Sequence, residues 1–235
     1  DDVESRGLGD VYKRQGLDST TLEPMHPLDT IIDKTVPNYG SYHAYLWLLN
    51  EVTKNLGYTE LNANFTRPAY ATVSTSDKTI TAAAGTTKYN VGSSSVIYNS
   101  ATDHSLLYKT GVVTQPFLWN RSSSYNNIGS NLIVTINPDE SVTNTTEPYD
   151  FWIVAHYDST ASGSNQASWG ATDNATSVAM NLAILKYFSE PANRAKLKTR
   201  LHIMFADAEE VGVLGTNAFV QEYLMSTNSP LLTSS

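Results

Sequence analysis

Residues 201–215, LHIMFADAEEVGVLG, join an apolar run to a tight cluster of carboxylates. Leu201, Ile203, Met204 and Phe205 read as a buried strand of a parallel sheet. Asp207, Glu209 and Glu210 follow at once, and Gly212 and Gly215 come after them. Carboxylates just past the carboxyl end of an inner strand stand where open α/β sheets bind their ligands. Two adjacent glutamates in such a place can divide the work, one holding a metal and the other moving a proton. Taken alone, the cluster reads more readily as the acidic first turn of a helix, favoured by the helix dipole.

Companions upstream shift that balance. His156 and Asp158 are two apart on extended chain, at the exit of the apolar run 150–156, so their side chains can project the same way. A metal-bound imidazole is usually backed by a carboxylate that fixes its tautomer, and a His-x-Asp pair offers one. Asp173 stands at the start of the next helical pattern. Each has an ordinary reading: a hydrogen-bonded core histidine, a turn former, a helix N-cap. Their joint occurrence, each at a strand exit or a helix start, points to a metal site.

The elements that must position them follow in chain order. Residues 40–57 form the clearest helix, with Tyr45, Leu48, Leu49, Val52 and Leu56 on one face, Ser41 as a cap and Gly57 in the left-handed closing position. His43 on this helix reads as a surface or boundary residue. From 70 to 119 the texture changes to short β-prone pieces separated by turn formers, read as decoration of the main sheet, an edge or a small insertion. Asp103 and His104 within it read as a solvated turn. The metal-site core spans 131–235, beginning with a strand at 132–136 closed by Asn137 and Pro138. A strongly buried strand at 150–156 comes next, then a Ser- and Gly-rich loop, then a helix at 174–188 whose face is Val178, Leu182, Leu185 and Phe188, ended by Pro191. A strand at 200–206 and a helix at 216–224 complete the series, the pattern of a layered α/β sheet. His202 lies at the strand end away from the carboxylates and reads as structural.

Composition bounds the rest. The 235 residues are 40% hydrophobic and 16% charged, a globular balance with the prior of one domain. A net charge of −8 without a basic patch argues against nucleic acid as a partner, and no apolar run approaches a membrane span. The absence of cysteine removes disulfides and thiolate chemistry. Richness in Ser, Thr, Asn and Tyr suggests a secreted or extracytoplasmic protein, whose signal peptide would not be part of this sequence. Residues 1–15, DDVESRGLGDVYKRQ, have no periodic apolar face and read as a non-native, adapter-derived leader. The closing NSPLLTSS stops without a finishing element, so the chain is expected to be truncated there as well.

The motifs AHYDS (155–159), GATDNATS (170–177) and FADAEEVGVLGT (205–216) resemble the three leading motifs of the M28 zinc aminopeptidases, and the helix at 41–56 is similar to that family's opening helix. The resemblance implies a three-layer α/β/α fold with a mixed, largely parallel sheet, residues 16–235 forming a partial peptidase domain. It implies two zinc ions, with His156 a ligand of one, Asp173 the bridge between them, Glu210 a ligand of the other, Glu209 the general base and Asp158 the orienter of His156. A cis peptide between Asp173 and Asn174 is also implied. The function implied is hydrolysis of the N-terminal bond of peptides with a free N-terminus. Two further ligands of the family pattern fall beyond residue 235, so the chain as given is expected to be inactive. Glutaminyl cyclases share the fold and a Thr-Asp motif but use one zinc, and non-catalytic receptor-like members are the other alternative. The Glu-Glu-Val-Gly-x-Leu-Gly run and the intact five positions favour the peptidase.

Overall fold

A computed structural model describes residues 39–62, 71–73, 80–82, 85–99, 103–121, 126–138, 150–159 and 170–225 of the chain. The leader at 1–15, the Ser- and Gly-rich loop at 160–169 and the final 226–235 lie outside the described residues. Helix α1 (Tyr39–Asn50) passes into a π turn at Glu51–Asn55. Tyr45, Leu48 and Val52 of the expected apolar stripe are buried, and Gly57 takes the left-handed φ of +78° that ends the helix. The helix starts at Tyr39, ahead of Ser41, so Ser41 stands within its first turn and is not its cap. The side chain of His43 lies outside the described residues. Tyr58, just beyond the helix, is buried, and its hydroxyl donates to the Leu185 carbonyl at 3.0 Å. Burial pushes that hydroxyl's pKa up to about 12.

Strands β1 (Ala71–Val73) and β2 (Ile80–Ala82) form an antiparallel pair of their own. The main sheet contains β3 (Thr86–Val91), β4 (Ser94–Asn99), β5 (Gly111–Arg121), β6 (Asn126–Ile136), β7 (Phe151–His156) and β8 (Leu201–Ala206). Between β4 and β5 lies a 3-10 turn, His104–Tyr108, and the Asp103 carboxylate caps it by accepting from Ser105 N at 3.0 Å. Between β7 and β8 run a π turn at Ala171–Ala175, helix α2 (Thr176–Ser189) and the short α3 (Pro191–Arg194). Helix α4 (Leu214–Phe219) follows β8 and passes into a π turn at Val220–Leu224.

The strand order is β3-β4-β5-β6-β8-β7, in a mixed sheet. The expectation of a largely parallel sheet needs correction: β7 and β8 run parallel, and the other four neighbouring pairs are antiparallel. Parallel neighbours need a crossover element, and among the described residues α2 supplies one only between β7 and β8. The β-prone pieces at 86–121 pair by hairpin-like reversals and continue the sheet outward from β6.

Period-two alternation assigns the two faces. Leu132, Val134 and Ile136 of β6, with Leu201, Ile203 and Phe205 of β8, pack against Leu48 and Val52 near α1 and Val178 and Leu185 of α2. The intervening residues Ile133, Met204 and Ala206 pack on the opposite face with Phe219 and Tyr223. Farther along that face Val96, Phe117 and Trp119 meet Leu214 and Ala218 of α4. Helices therefore cover both faces, and β8 is buried at every position. The strand expected to be strongly buried at 150–156 is instead outermost: Phe151 is 59% and Val154 50% exposed. Its apolar composition suits a parallel strand, but β8 occupies the interior position and leaves β7 with one neighbour among the described residues.

His202 is structural, as its place in the strand suggests. Its ring is fully buried, stacks on Trp152 at 4.0 Å, and sits between Thr135 Oγ1 (2.9 Å) and Asp150 Oδ2 (3.2 Å).

Candidate metal centre

Two parallel neighbours open their carboxyl ends on one edge. His156 is paired with Ala206 in the β7/β8 register, so the last residue of β7 stands beside the first residues after β8. The antiparallel register of β6, with Leu132 opposite Phe205, brings Ser130 and Asn131 to the same edge. Asp173 arrives there from the π turn that precedes α2. Asp173 and Asn174 depart from helical backbone within that turn, and the peptide between them is cis. The regular helix begins only at Thr176, so Asp173 is not its N-cap. Glu209 and Glu210 likewise sit in a turn, with α4 starting at Leu214, and are not the first turn of a helix.

One ligand atom each from His156, Asp173 and Glu210 lies within 4.8 Å of the others. His156 Nε2 is 3.0 Å from Asp173 Oδ1 and 3.8 Å from Glu209 Oε2. Its Nδ1 is 3.1 Å from the main-chain carbonyl oxygen of Asp158. A carbonyl only accepts, so Nδ1 carries the hydrogen and a neutral ring directs its Nε2 lone pair at the carboxylates. Lone pair against carboxylate is repulsive at 3.0 Å unless the ring is protonated or a cation stands between the groups. A cation would relieve that repulsion, and a donor set of one imidazole nitrogen and carboxylate oxygens suits zinc. The Glu210 carboxyl is held above its ordinary pKa by burial first, and then by the charges of Asp173 and Asp158.

Asp158 meets both the imidazole of His156 and the carboxylate-bearing turn. The group bonded to the imidazole is its main-chain carbonyl; its carboxylate Oδ1 stands off at 3.5 Å. The two carboxylate oxygens also accept from the amides of Glu209 and Glu210, each at 3.1 Å. Two adjacent amides present a forked donor that a carboxylate matches and that a single carbonyl cannot. Asp158 therefore fixes the carboxylate-bearing turn relative to the end of β7.

That turn is strained. Ala208 and Val213 both have positive φ, 54° and 58°, a conformation costing about 1–2 kcal/mol per residue for side chains with a Cβ. It is held by a buried polar group that sequence reasoning did not single out. Asn131, fully buried on β6, accepts from Asp207 N at 3.0 Å and donates to Gly215 O at 2.8 Å and to Gln115 Oε1 at 2.7 Å. Gln115 in turn donates to the buried Glu222 at 2.8 Å. The signal available in the sequence was a lone Asn immediately before an apolar strand. The Asp207 carboxylate accepts from Ser130 N (3.1 Å) and Ala208 N (2.8 Å). Its pKa is pushed up to about 7 by burial and by the Asp158 charge, against the opposing pull of those amides and of the Tyr157 hydroxyl.

At 33% identity over 110 residues, the chain is similar to the vacuolar membrane protease of Ajellomyces dermatitidis (strain ER-3 / ATCC MYA-2586) and, equally, to that of Blastomyces gilchristii (strain SLH14081). Each alignment takes in 41% of this chain and 10% of the relative, so the aligned segment spans about a tenth of the length of the curated relatives it matches. The segment 131–232, which contains β7, α2, β8, α4 and all five residues singled out by the motifs, matches the peptidase family M28.

Proposed function

We propose that the domain is a zinc-dependent peptidase that removes N-terminal residues from peptides, with His156, Asp173 and Glu210 as metal ligands and Glu209 as the general base. The observation that carries this reading is the convergence of the three ligand atoms within 4.8 Å at one sheet edge, inside the segment matching the peptidase family. Helices on both faces of the mixed sheet support the three-layer, aminopeptidase-like architecture. When bound, zinc supplies Lewis acidity and a water of lowered pKa. The chain's own residues do the rest. Asp158 holds the amides of Glu209 and Glu210 side by side, which fixes the turn that carries both carboxylates. The Glu209 side chain is 37% exposed and reaches within 3.8 Å of His156, which lets it meet both solvent and the ligand cluster. From there it takes a proton from water and returns it to the leaving amine, a transfer worth roughly 10²–10⁴ in rate. Asp173, 75% exposed and 3.0 Å from His156 Nε2, would hold the metal from the turn ahead of α2.

Paired substitutions in the protein carrying this domain test the division of roles. Glu209→Gln should keep metal binding while turnover of aminoacyl-nitroanilides falls by about 10²–10⁴. Glu210→Gln should weaken zinc affinity itself. Equal metal content with equal loss of activity in both variants would mean that the two roles are wrongly divided.

A further inference from the structure

We propose that Asn131 is a positioning residue that holds the Glu209–Glu210 turn in register with His156 and Asp173. This inference rests on the metallopeptidase reading of the site. Asn131 touches none of the proposed ligands. Its amide reaches from β6 to both ends of the turn, accepting at Asp207 N (3.0 Å) and donating at Gly215 O (2.8 Å). The same two residues close the turn on themselves through Gly215 N and Asp207 O at 3.1 Å. Between these ends stand two residues in left-handed backbone, Ala208 and Val213, a conformation that persists only where the surroundings over-determine it.

The chemistry of the clamp is specific to an amide. One end of the turn offers a donor and the other an acceptor, so the side chain must accept and donate at once. A carboxylate at 131 would keep the contact to Asp207 N and lose both donated bonds. An aliphatic side chain would lose all three. Gln115 and Glu222 extend the arrangement by fixing which way the Asn131 amide faces: Gln115 Nε2 donates to Glu222, leaving Gln115 Oε1 to accept from Asn131. The approach is close. A Cβ added at Gly215 would lie 2.5 Å from Asn131 Oδ1. Asp158 supplies the second attachment, at the middle of the turn. Two anchors on different strands, β6 and the exit of β7, thus set where Glu209 and Glu210 stand.

The test compares Asn131→Ala with Thr135→Val in the protein carrying this domain. Thr135 is equally buried on the same strand, and its hydroxyl faces His202 at the other end of the sheet. Cobalt(II) is titrated into each and followed by its visible absorption, with thermal unfolding and hydrogen exchange of residues 207–215 measured alongside. Loss of a partner outside the ligand shell typically weakens metal affinity or activity about ten- to hundredfold. Asn131→Ala should weaken cobalt binding by that factor and speed exchange across 207–215, while Thr135→Val lowers the melting temperature and leaves both unchanged. If both variants lose stability alike and neither changes cobalt affinity or loop exchange, Asn131 is merely structural and the proposal is overturned. Should Asn131→Ala not be recovered folded, Asn131→Thr, which suits a strand and keeps one hydroxyl, is read in the same way. Faster exchange with unaltered cobalt binding would sink the metal reading of the turn while leaving the clamp in place. Unaltered exchange would overturn the clamp whatever the metal does.

Discussion

Replacing Gly215 by Ala sets two effects of opposite sign against each other. Gly215 lies in the first turn of α4, where alanine should stabilise an ordinary helix by about 0.8–1.0 kcal/mol. The surroundings oppose it. A Cβ at this position would lie 2.1 Å from Asp207 O and 2.5 Å from Asn131 Oδ1, where ordinary contacts begin at 3.4 Å. The nearer obstacle is backbone, so α4 would have to move off the turn by about 1 Å or more. Such a shift stretches the Gly215 N to Asp207 O and Asn131 Nδ2 to Gly215 O bonds, at 3.1 and 2.8 Å. Each is worth about 0.5–1.5 kcal/mol net, and a buried group left without a partner costs about 1–3 kcal/mol. The net expectation is a loss of about 2–5 kcal/mol, a large fraction of the roughly 5–15 kcal/mol typical of a domain. Urea unfolding followed by far-UV circular dichroism, with the slope compared between variants, reads the loss directly. A variant as stable as the parent, or more stable by the helix-propensity increment, would refute the argument that close approach at this glycine holds the turn.

Two further outcomes follow from the buried polar groups. Burial lowers the His202 pKa below 6.5, against the opposing hydrogen bond and charge of Asp150. The unfolded chain therefore binds a proton that the fold refuses, and stability should fall as pH drops below 6.5 toward the lowered folded value. Burial raises the Asp150 pKa, but its bonds to His202 and Arg200 outweigh that and leave it below 3.8, which adds a second decline under that pH. His202→Gln should remove the first slope from a urea titration between pH 8 and pH 5, and an unchanged slope would exclude His202 as its source. On α2, Asn181 is fully buried, and its side-chain nitrogen and oxygen have no hydrogen-bond partner among the described residues. Asn181→Leu, similar in size and apolar, should stabilise the protein by about 1–3 kcal/mol in the same assay, and a destabilised variant would show that the amide has a partner after all.

The sequence by itself determined the local pieces of this domain and which residues are candidates for its chemistry. The 3.6-residue stripe through Tyr45, Leu48 and Val52 and the apolar run 201–206 carry their own periodicity, so α1 and β8 were legible without any neighbour. His156, Asp158, Asp173, Glu209 and Glu210 could be picked out because their types, order and spacing are properties of the chain. Strand direction and strand position were not legible. Whether an apolar strand is central or outermost depends on which neighbours pair with it, and β7 reads like β8 although, among the described residues, β8 has two neighbours and β7 one. Pairing also decided that the β-prone pieces at 86–121 join the main sheet and make most of its contacts antiparallel. The role of Asp158 turned on atoms 51 and 52 residues away, the amides of Glu209 and Glu210. Asn131 reaches Asp207 and Gly215 over still longer separations, 76 and 84 residues. Hydrogen bonds of that range leave no periodic mark on a sequence, because their partners meet only after the sheet has set its register. Tertiary structure alone could decide what holds the carboxylates in place.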